Sequence, residues 1–294
     1  MQHCNICYYK VTTIMLLNTL LIFGLVLLIG VTFVFLIAQL RSDNSIMDIA
    51  YGPLFLLSGL ATLAILTKSF DHLPSWQAMV ILSAIFIWSL RLSSRIYRKN
   101  RGQKEDARYA AWREAWSKRG SLYFILRSYL QINLLQGLAI TIVSLPLIIA
   151  LSHPLHDPSL INYLFIGLGI FIFLAGLIIE TIADAQLDAF IARKKAGRES
   201  ATIMPTGLFR YSRRPNYFGE SLIWWGIAII ALPLPLSWIA FLSPLTITYI
   251  VTQVTGPMLE KIFLERYPKE YGEYMSATSY LIPWPRKSQK MIAK

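Results

Sequence analysis

Cysteine is nearly missing from this 294-residue chain: Cys4 and Cys7 are the two, in the N-terminal run HCNIC beside His3. One CxxC without a second pair falls short of the four ligands that close a zinc site, so no metal is expected. Charge is also scarce. Charged residues are 15% of the chain, against about 25% in a soluble domain, while 55% of residues are hydrophobic and the mean hydropathy is +0.51. That balance excludes an ordinary soluble domain. Acidic residues are the rarer sign, 16 against 28 Lys and Arg, for a net charge of +12. The distribution of that surplus matters more than its size, and nucleic acid is not an expected partner. There is no repeat or low-complexity run, and no polar stretch exceeds about twenty residues, which leaves no room for a separate soluble domain.

Apolar runs are what the chain has in abundance. Runs of the roughly 20 residues needed to cross a hydrocarbon core lie near 12–40, 46–67, 74–97, 121–151, 159–190, 217–242 and 244–264. The expected fold is an all-α polytopic membrane bundle, seven transmembrane helices in a single integral membrane domain over 1–294. The first run is too long for a signal-peptide core and lacks a convincing small-residue cleavage site, so it reads as a span. Segments 98–119 and 193–214 carry eight and seven Lys or Arg, whereas 152–159 and 243–245 carry none. The positive-inside rule puts the basic segments and the tail after Phe263 in the cytoplasm, with the N-terminus outside.

Polar side chains within apolar runs are costly and mark candidate function. Asp48 and Tyr51 share a face of the second run, and Arg91, Arg95 and Arg98 climb the third toward Tyr97. The fourth has Arg127, Gln131 and Gln136, and the fifth has Glu180, Asp184 and Asp188 at successive i+4 steps, one strip of carboxylates. In the seventh, Gln253 and Glu260 share a face, with Gly256 and Pro257 between them to open the backbone. All fall in the cytoplasmic halves of their runs, which suits one shared pocket; interhelical ion pairs are the plainer reading. The most informative stretch is Thr206 to Trp225, TGLFRYSRRPNYFGESLIWW. Arg210, Arg213 and Arg214 gather ahead of Pro215, a residue that favours a helix start because its missing N–H would be unpaired there. The free amides and positive dipole end of such a helix, with guanidinium forks beside them, suit phosphate oxygens. Asn216 and Glu220 follow at i and i+4 on one face.

These motifs carry a resemblance. GLFRYSRRPNYFGE, ETIADAQ at 180–186, GQKEDARYAAWREAW at 102–116 and LEKIFLERYPKEYGEYMSATSYLIPW at 259–284 together resemble the bacterial membrane family DUF1295, which belongs with the steroid 5α-reductases. The likeness covers nearly everything after about residue 45. The wider superfamily includes sterol reductases, which use NADPH, and isoprenylcysteine or phospholipid methyltransferases, which use S-adenosylmethionine. Reductases show Asn-Tyr-x-Gly-Glu/Asp, matched by Asn216, Tyr217, Gly219 and Glu220, and the methyltransferase histidine is replaced by Arg213-Arg214.

The resemblance implies an NADPH-dependent reductase of the bacterial inner membrane with its cofactor site toward the cytoplasm. Asp184, Asn216 and Glu220 are the implied cofactor contacts, with Arg193 or Lys194 on the phosphates and Arg210, Tyr211, Arg214, Tyr217 and Glu260 completing the set. Where the animal steroid reductases carry arginine, histidine and tyrosine in the last span, this chain has Thr252, Gly256 and Glu260. The expected substrate is a hydrophobic steroid or sterol-like enone, such as a 4-ene-3-ketosteroid, entering among membrane lipid. Its reduction needs a hydrogen-bond donor for the developing enolate oxygen, and Tyr51, Tyr97 and Asp48 are the candidates. The alternatives are an S-adenosylmethionine-dependent membrane methyltransferase, for which a phosphate-binding loop is poorly motivated, and a non-enzymatic lipid-binding membrane protein.

Overall fold

A computed structural model describes residues 2–154 and 158–286, with side chains from Lys10 onward. His3, Cys4 and Cys7 lie outside the described side chains. The described residues are mostly helical, and their extended pairings are isolated bridges. They group into two compact units: residues up to Gly167 with Ala228–Ser243, and Leu168–Ile227 with the residues from Pro244 on.

The first unit is built on α1 (Gln2–Leu40), α2 (Ile46–Phe70) and α3 (Trp76–Asn100). On α1 the apolar residues divide between two faces: Phe23, Leu27, Val31 and Ala38 are buried, whereas Leu21, Leu25, Ile29 and Phe33 are exposed. Both sets recur at helical spacing, so one stripe packs on protein and the other suits lipid tails. Between α2 and α3 small residues let backbones approach. A Cβ on Gly52 would stand 2.9 Å from Ser89 Oγ and 3.0 Å from Ser93 Oγ. Pro53 has no N–H to give the Ile49 carbonyl one turn back, and Ser93 Oγ donates to that carbonyl instead, at 2.9 Å. Within a membrane such freed carbonyls need a partner of this kind. Phe55 and Trp88 meet edge to face at 5.3 Å, and Tyr51 contacts both rings.

The short α4 (Ala107–Ser117) precedes a broken stretch: α5 (Ser121–Arg127), a π-helical turn over Ser128–Leu134, α6 (Leu135–Val143) and α7 (Leu145–Ser152). The run 121–151 reads as one span in the sequence; the structure bends it by 54° between Val143 and Leu145. Pro146 is the cause, since it cannot bond the carbonyl of Ile142.

The second unit contains most of α8 (Leu160–Lys195) and α9 (Pro215–Ala231), then α10 (Leu242–Tyr249), a π-helical turn over Ile250–Thr255, α11 (Gly256–Arg266) and α12 (Pro268–Ala277). α8 and α9 run antiparallel with backbones in contact. A Cβ on Gly226 would lie 2.6 Å from the Gly169 oxygen, and one on Gly176 would lie 2.6 Å from the Gly219 oxygen. Seven residues, about two turns, separate the glycines on each helix, so both close approaches fall along one seam.

Among the described residues, five helical stretches are long and apolar enough to cross a membrane: Lys10–Leu40, Ile46–Phe70, Trp76–Asn100, Leu160–Lys195 and Ser237–Arg266. The bent pair Ser121–Val143 and Leu145–Ser152 makes six if it is one span. The sixth expected run, 217–242, forms a helix only to Ala231, 17 residues in all, or about 26 Å against a hydrocarbon core of about 30 Å. Pro233 and Pro235 end it, and a 3₁₀ turn over Ser237–Phe241 starts the next.

Candidate functional site

In the second unit three separated sequence motifs meet. α9 starts at Pro215, as the sequence predicts. By the glycine register, Gly219 sits against Glu180, whose backbone nitrogen would be 2.7 Å from an added Cβ. Asp184, one turn beyond Glu180, is thereby level with the first turn of α9, where Asn216 lies. Glu180 and Asp184 are both buried, and the positive end of α9 beside them favours carboxylates there. Gln186 closes the ETIADAQ run onto the loop: its Oε1 accepts from the Leu208 N–H at 2.9 Å. Gly207 has φ +62°, the left-handed region, and any Cβ there would run into the Gln186 side chain. Ala183, Phe190, Met204 and Phe209 form the apolar packing that holds the loop on α8.

The third motif clamps the loop from the C-terminal side. Arg213 N–H donates to the Ser279 oxygen at 2.8 Å, Arg214 N–H to the Tyr280 oxygen at 3.1 Å, and Trp284 N–H to the Tyr211 oxygen at 2.9 Å. Ser212 Oγ lies within hydrogen-bond distance of the Tyr280 and Leu281 carbonyls, and Tyr274 O–H donates to the Phe209 carbonyl at 2.6 Å. Tyr280 O–H donates to the Val251 carbonyl at 2.6 Å, inside the π-helical turn, and glycine at 256 leaves room for that hydroxyl. Pro257 explains the turn, because its ring and missing N–H disrupt the regular ladder. Burial pushes the Tyr280 phenol up to about 12 and raises Tyr274 as well, so both donate as neutral groups.

The two neighbouring arginines are used differently. Arg213 is consumed internally: Nε pairs with Glu260 at 2.7 Å, and Nη1 donates to the Met275 and Thr278 carbonyls at 2.9 and 2.6 Å. Glu260, expected on a cofactor, is therefore Arg213's partner, a pairing that sequence distance hides. Arg214 lies over the Tyr217 and Phe263 rings, with Nε and Nη2 buried and without a hydrogen-bond partner among the described residues. Arg193 pairs with Glu199 at 3.4 Å and lines a groove of about 390 Å³ with Ala185, Gln186, Ala189, Met204 and Gly207. Lys194 donates to the Thr202 carbonyl at 2.9 Å and faces the Tyr267 ring, while Arg210 and Tyr211 are exposed. Asn216, Tyr217 and Glu220 are half-buried.

The expected donors belong to the first unit. Asp48 Oδ1 accepts from Tyr109 O–H at 2.6 Å, and Arg108 reaches Oδ2 at 3.2 Å. Gln136 Nε2 donates to the same phenol at 3.3 Å. Burial first, then the charge of Asp48, raises the Tyr109 pKa and keeps its proton in place. The loop is pinned around them: Arg113 grips Glu105 through two bonds of 2.8 and 2.9 Å, Glu105 accepts from Asn44 N–H, and Asp106 caps α4. Burial works against it, but the Arg108 bonds and charge hold the Asp106 carboxyl below its ordinary value. Tyr51 is half-buried among aromatic rings, and Tyr97 is exposed on the last turns of α3. Sequence reasoning missed Tyr109. A lone tyrosine following Asp-Ala-Arg in a polar loop was the available signal.

Residues 34–278 match the family described as protein of unknown function DUF1295. An uncharacterized protein of Schizosaccharomyces pombe is 27% identical over 233 residues, covering 72% of this chain and 65% of its own length; the chain thus spans a little less than two thirds of that relative. No solved structure matches.

Proposed function

The chain belongs to the DUF1295 family, and on that basis we propose that it is an NADPH-dependent membrane reductase acting on the C=C bond of an enone lipid, with a 4-ene-3-ketosteroid as the first substrate to test. The observation that carries the reading is Arg214. Two of its guanidinium nitrogens are buried and unpartnered among the described residues, one residue before the start of α9; guanidinium N–H groups at a helix start are a donor set fit for a dinucleotide phosphate. S-adenosylmethionine has no phosphate to use it.

In this reading Arg214 binds phosphate from its seat on the Tyr217 and Phe263 rings, and Arg193 provides a second cation at the groove on α8. Asp184, Asn216 and Glu220 take the ribose hydroxyls and carboxamide, since carboxylates accept from such groups and an amide does both. Arg213 and Glu260 hold the loop in shape. When bound, NADPH supplies a hydride. The protein supplies a donor for the enolate oxygen, an effect commonly worth about 3–4 kcal/mol; Tyr109 and Tyr51 are the phenols to test, with Asp48 as partner. Counting the bent stretch as one span and α9 as a short one gives seven crossings, with the N-terminus outside and the basic loops cytoplasmic.

The test is NADPH oxidation by purified protein with progesterone or testosterone, with the product identified by mass. A product two mass units heavier, lost in Glu220→Ala, is expected. NADPH binding without turnover would discard the steroid and keep the cofactor. If S-adenosylmethionine raises the melting temperature and NADPH does not, the reductase reading falls.

A further inference from the structure

The cations around α4 and α5 can be accounted for one by one. Five lie between Glu105 and Gln131: Arg108, Arg113, Lys118, Arg119 and Arg127. Arg108 is paired with Asp106 and Asp48, Arg113 with Glu105, and Lys118 with Glu114. That uses every carboxylate in the segment. Arg119 and Arg127 have no ion pair among the described residues and instead converge on one phenol. Arg119 Nη1 and Arg127 Nε donate to Tyr123 Oη at 3.1 and 3.0 Å, and both guanidinium groups lie over the Tyr123 ring, at 5.4 and 5.5 Å. Arg127 Nη1 also donates to Gln131 Oε1 at 3.2 Å.

Two like charges on one neutral acceptor leave a strong positive field and several guanidinium N–H groups turned outward. Both arginines are exposed. Tyr123 and Arg127 lie one turn apart on α5, Gln131 follows in the π-helical turn, and Arg119 reaches Tyr123 from the turn before the helix; beside them runs a stripe of exposed Leu122, Leu126 and Leu130. Exposed leucines need hydrocarbon while the arginines need a polar phase, so the membrane interface lies at this level.

We infer that Arg119, Tyr123 and Arg127 form a binding site for the phosphodiester headgroup of an anionic membrane lipid, with its acyl chains along Leu122, Leu126 and Leu130. The guanidinium N–H groups take the phosphate oxygens, and the Tyr123 hydroxyl, whose oxygen already accepts from both arginines, has its own proton left to donate. The site is independent of the proposed reductase activity.

Native mass spectrometry of the full chain in detergent tests it, with phosphatidylglycerol, phosphatidylcholine or soluble glycerol 3-phosphate added. The wild type is expected to retain phosphatidylglycerol in preference to phosphatidylcholine. Arg119→Gln/Arg127→Gln should lower that affinity about thirtyfold, at roughly fivefold for each basic residue near an anionic surface. Tyr123→Phe, which keeps both charges but removes their shared acceptor, should cost a few-fold. Lys118→Gln, at a cation already paired, should change nothing, and unchanged melting temperatures would show that all the variants fold. Wild-type retention of phosphatidylglycerol by the double variant would overturn the site. Equal binding of glycerol 3-phosphate would also overturn it, by making the ligand a free phosphate ester.

Discussion

The two units solve the same problem, polar groups in an apolar molecule, in opposite ways. Around Asp48, in the first, polar side chains are spent on one another: Asp48 takes Tyr109 and Arg108, Glu105 takes Arg113 and Asn44, and nearby Ser93 repairs the carbonyl freed by Pro53. In the second, backbones do more of the packing. The α8–α9 seam is glycine against glycine, the loop is clamped mainly through main-chain groups, and Arg214 keeps two buried nitrogens unused. A satisfied network fixes its groups in place, whereas a rigid frame around an unsatisfied cation leaves a charge for a ligand to meet.

The sharpest way to break that contrast is at the adjacent arginines. Arg213→Gln should destabilise the protein by about 3 kcal/mol or more, because Glu260 would be left mostly buried and unpaired; thermal unfolding in detergent reads it. Arg214→Gln should leave the melting temperature near wild type and weaken NADPH binding about tenfold to a hundredfold, the range for a charge-assisted hydrogen bond. Equal effects of the two on stability would erase the distinction.

Next come the glycines. Gly219→Ala should cost about 1–3 kcal/mol or more, since the new methyl would stand 2.7 Å from the backbone of Glu180 and of Gly176. Gly59→Ala meets the ends of Leu147 and Leu82 at 2.7 and 2.9 Å, side chains that can turn aside, and should cost less. At the Asp48 network, Tyr109→Phe should cost about 1 kcal/mol and lower turnover with NADPH affinity unchanged, while Tyr97→Phe should do neither. The smallest effect is one of pH. The Tyr280 phenol has its pKa raised from 10.0 to about 12, so it stabilises the fold below pH 10 and that contribution is lost as pH rises toward 12. Tyr280→Phe should flatten the loss of stability over that window.

Much of this was legible in the chain. Long apolar runs are read directly because hydrocarbon tolerates little else, and Pro215 announced the start of α9 because its chemistry is local. The end of α9 is not legible in hydropathy, which continues past Ala231, and only the prolines at 233 and 235 interrupt the helix. The Arg213–Glu260 pair is not legible in the chain, because nothing in a linear sequence says that a carboxylate 47 residues away is taken by Arg213. Tyr109 is hidden for the converse reason: what distinguishes it is its reach to Asp48, 61 residues earlier.

By itself, then, the sequence determined that this is a helical membrane protein and where along the chain its apolar runs and basic segments fall, since composition, periodicity and proline act over a few residues. Tertiary structure alone decided which arginine is structural and which is available, which tyrosine holds Asp48, and that two pairs of glycines bring α8 against α9. Those are pairings between distant residues, and a pairing exists only once both partners have a place in space.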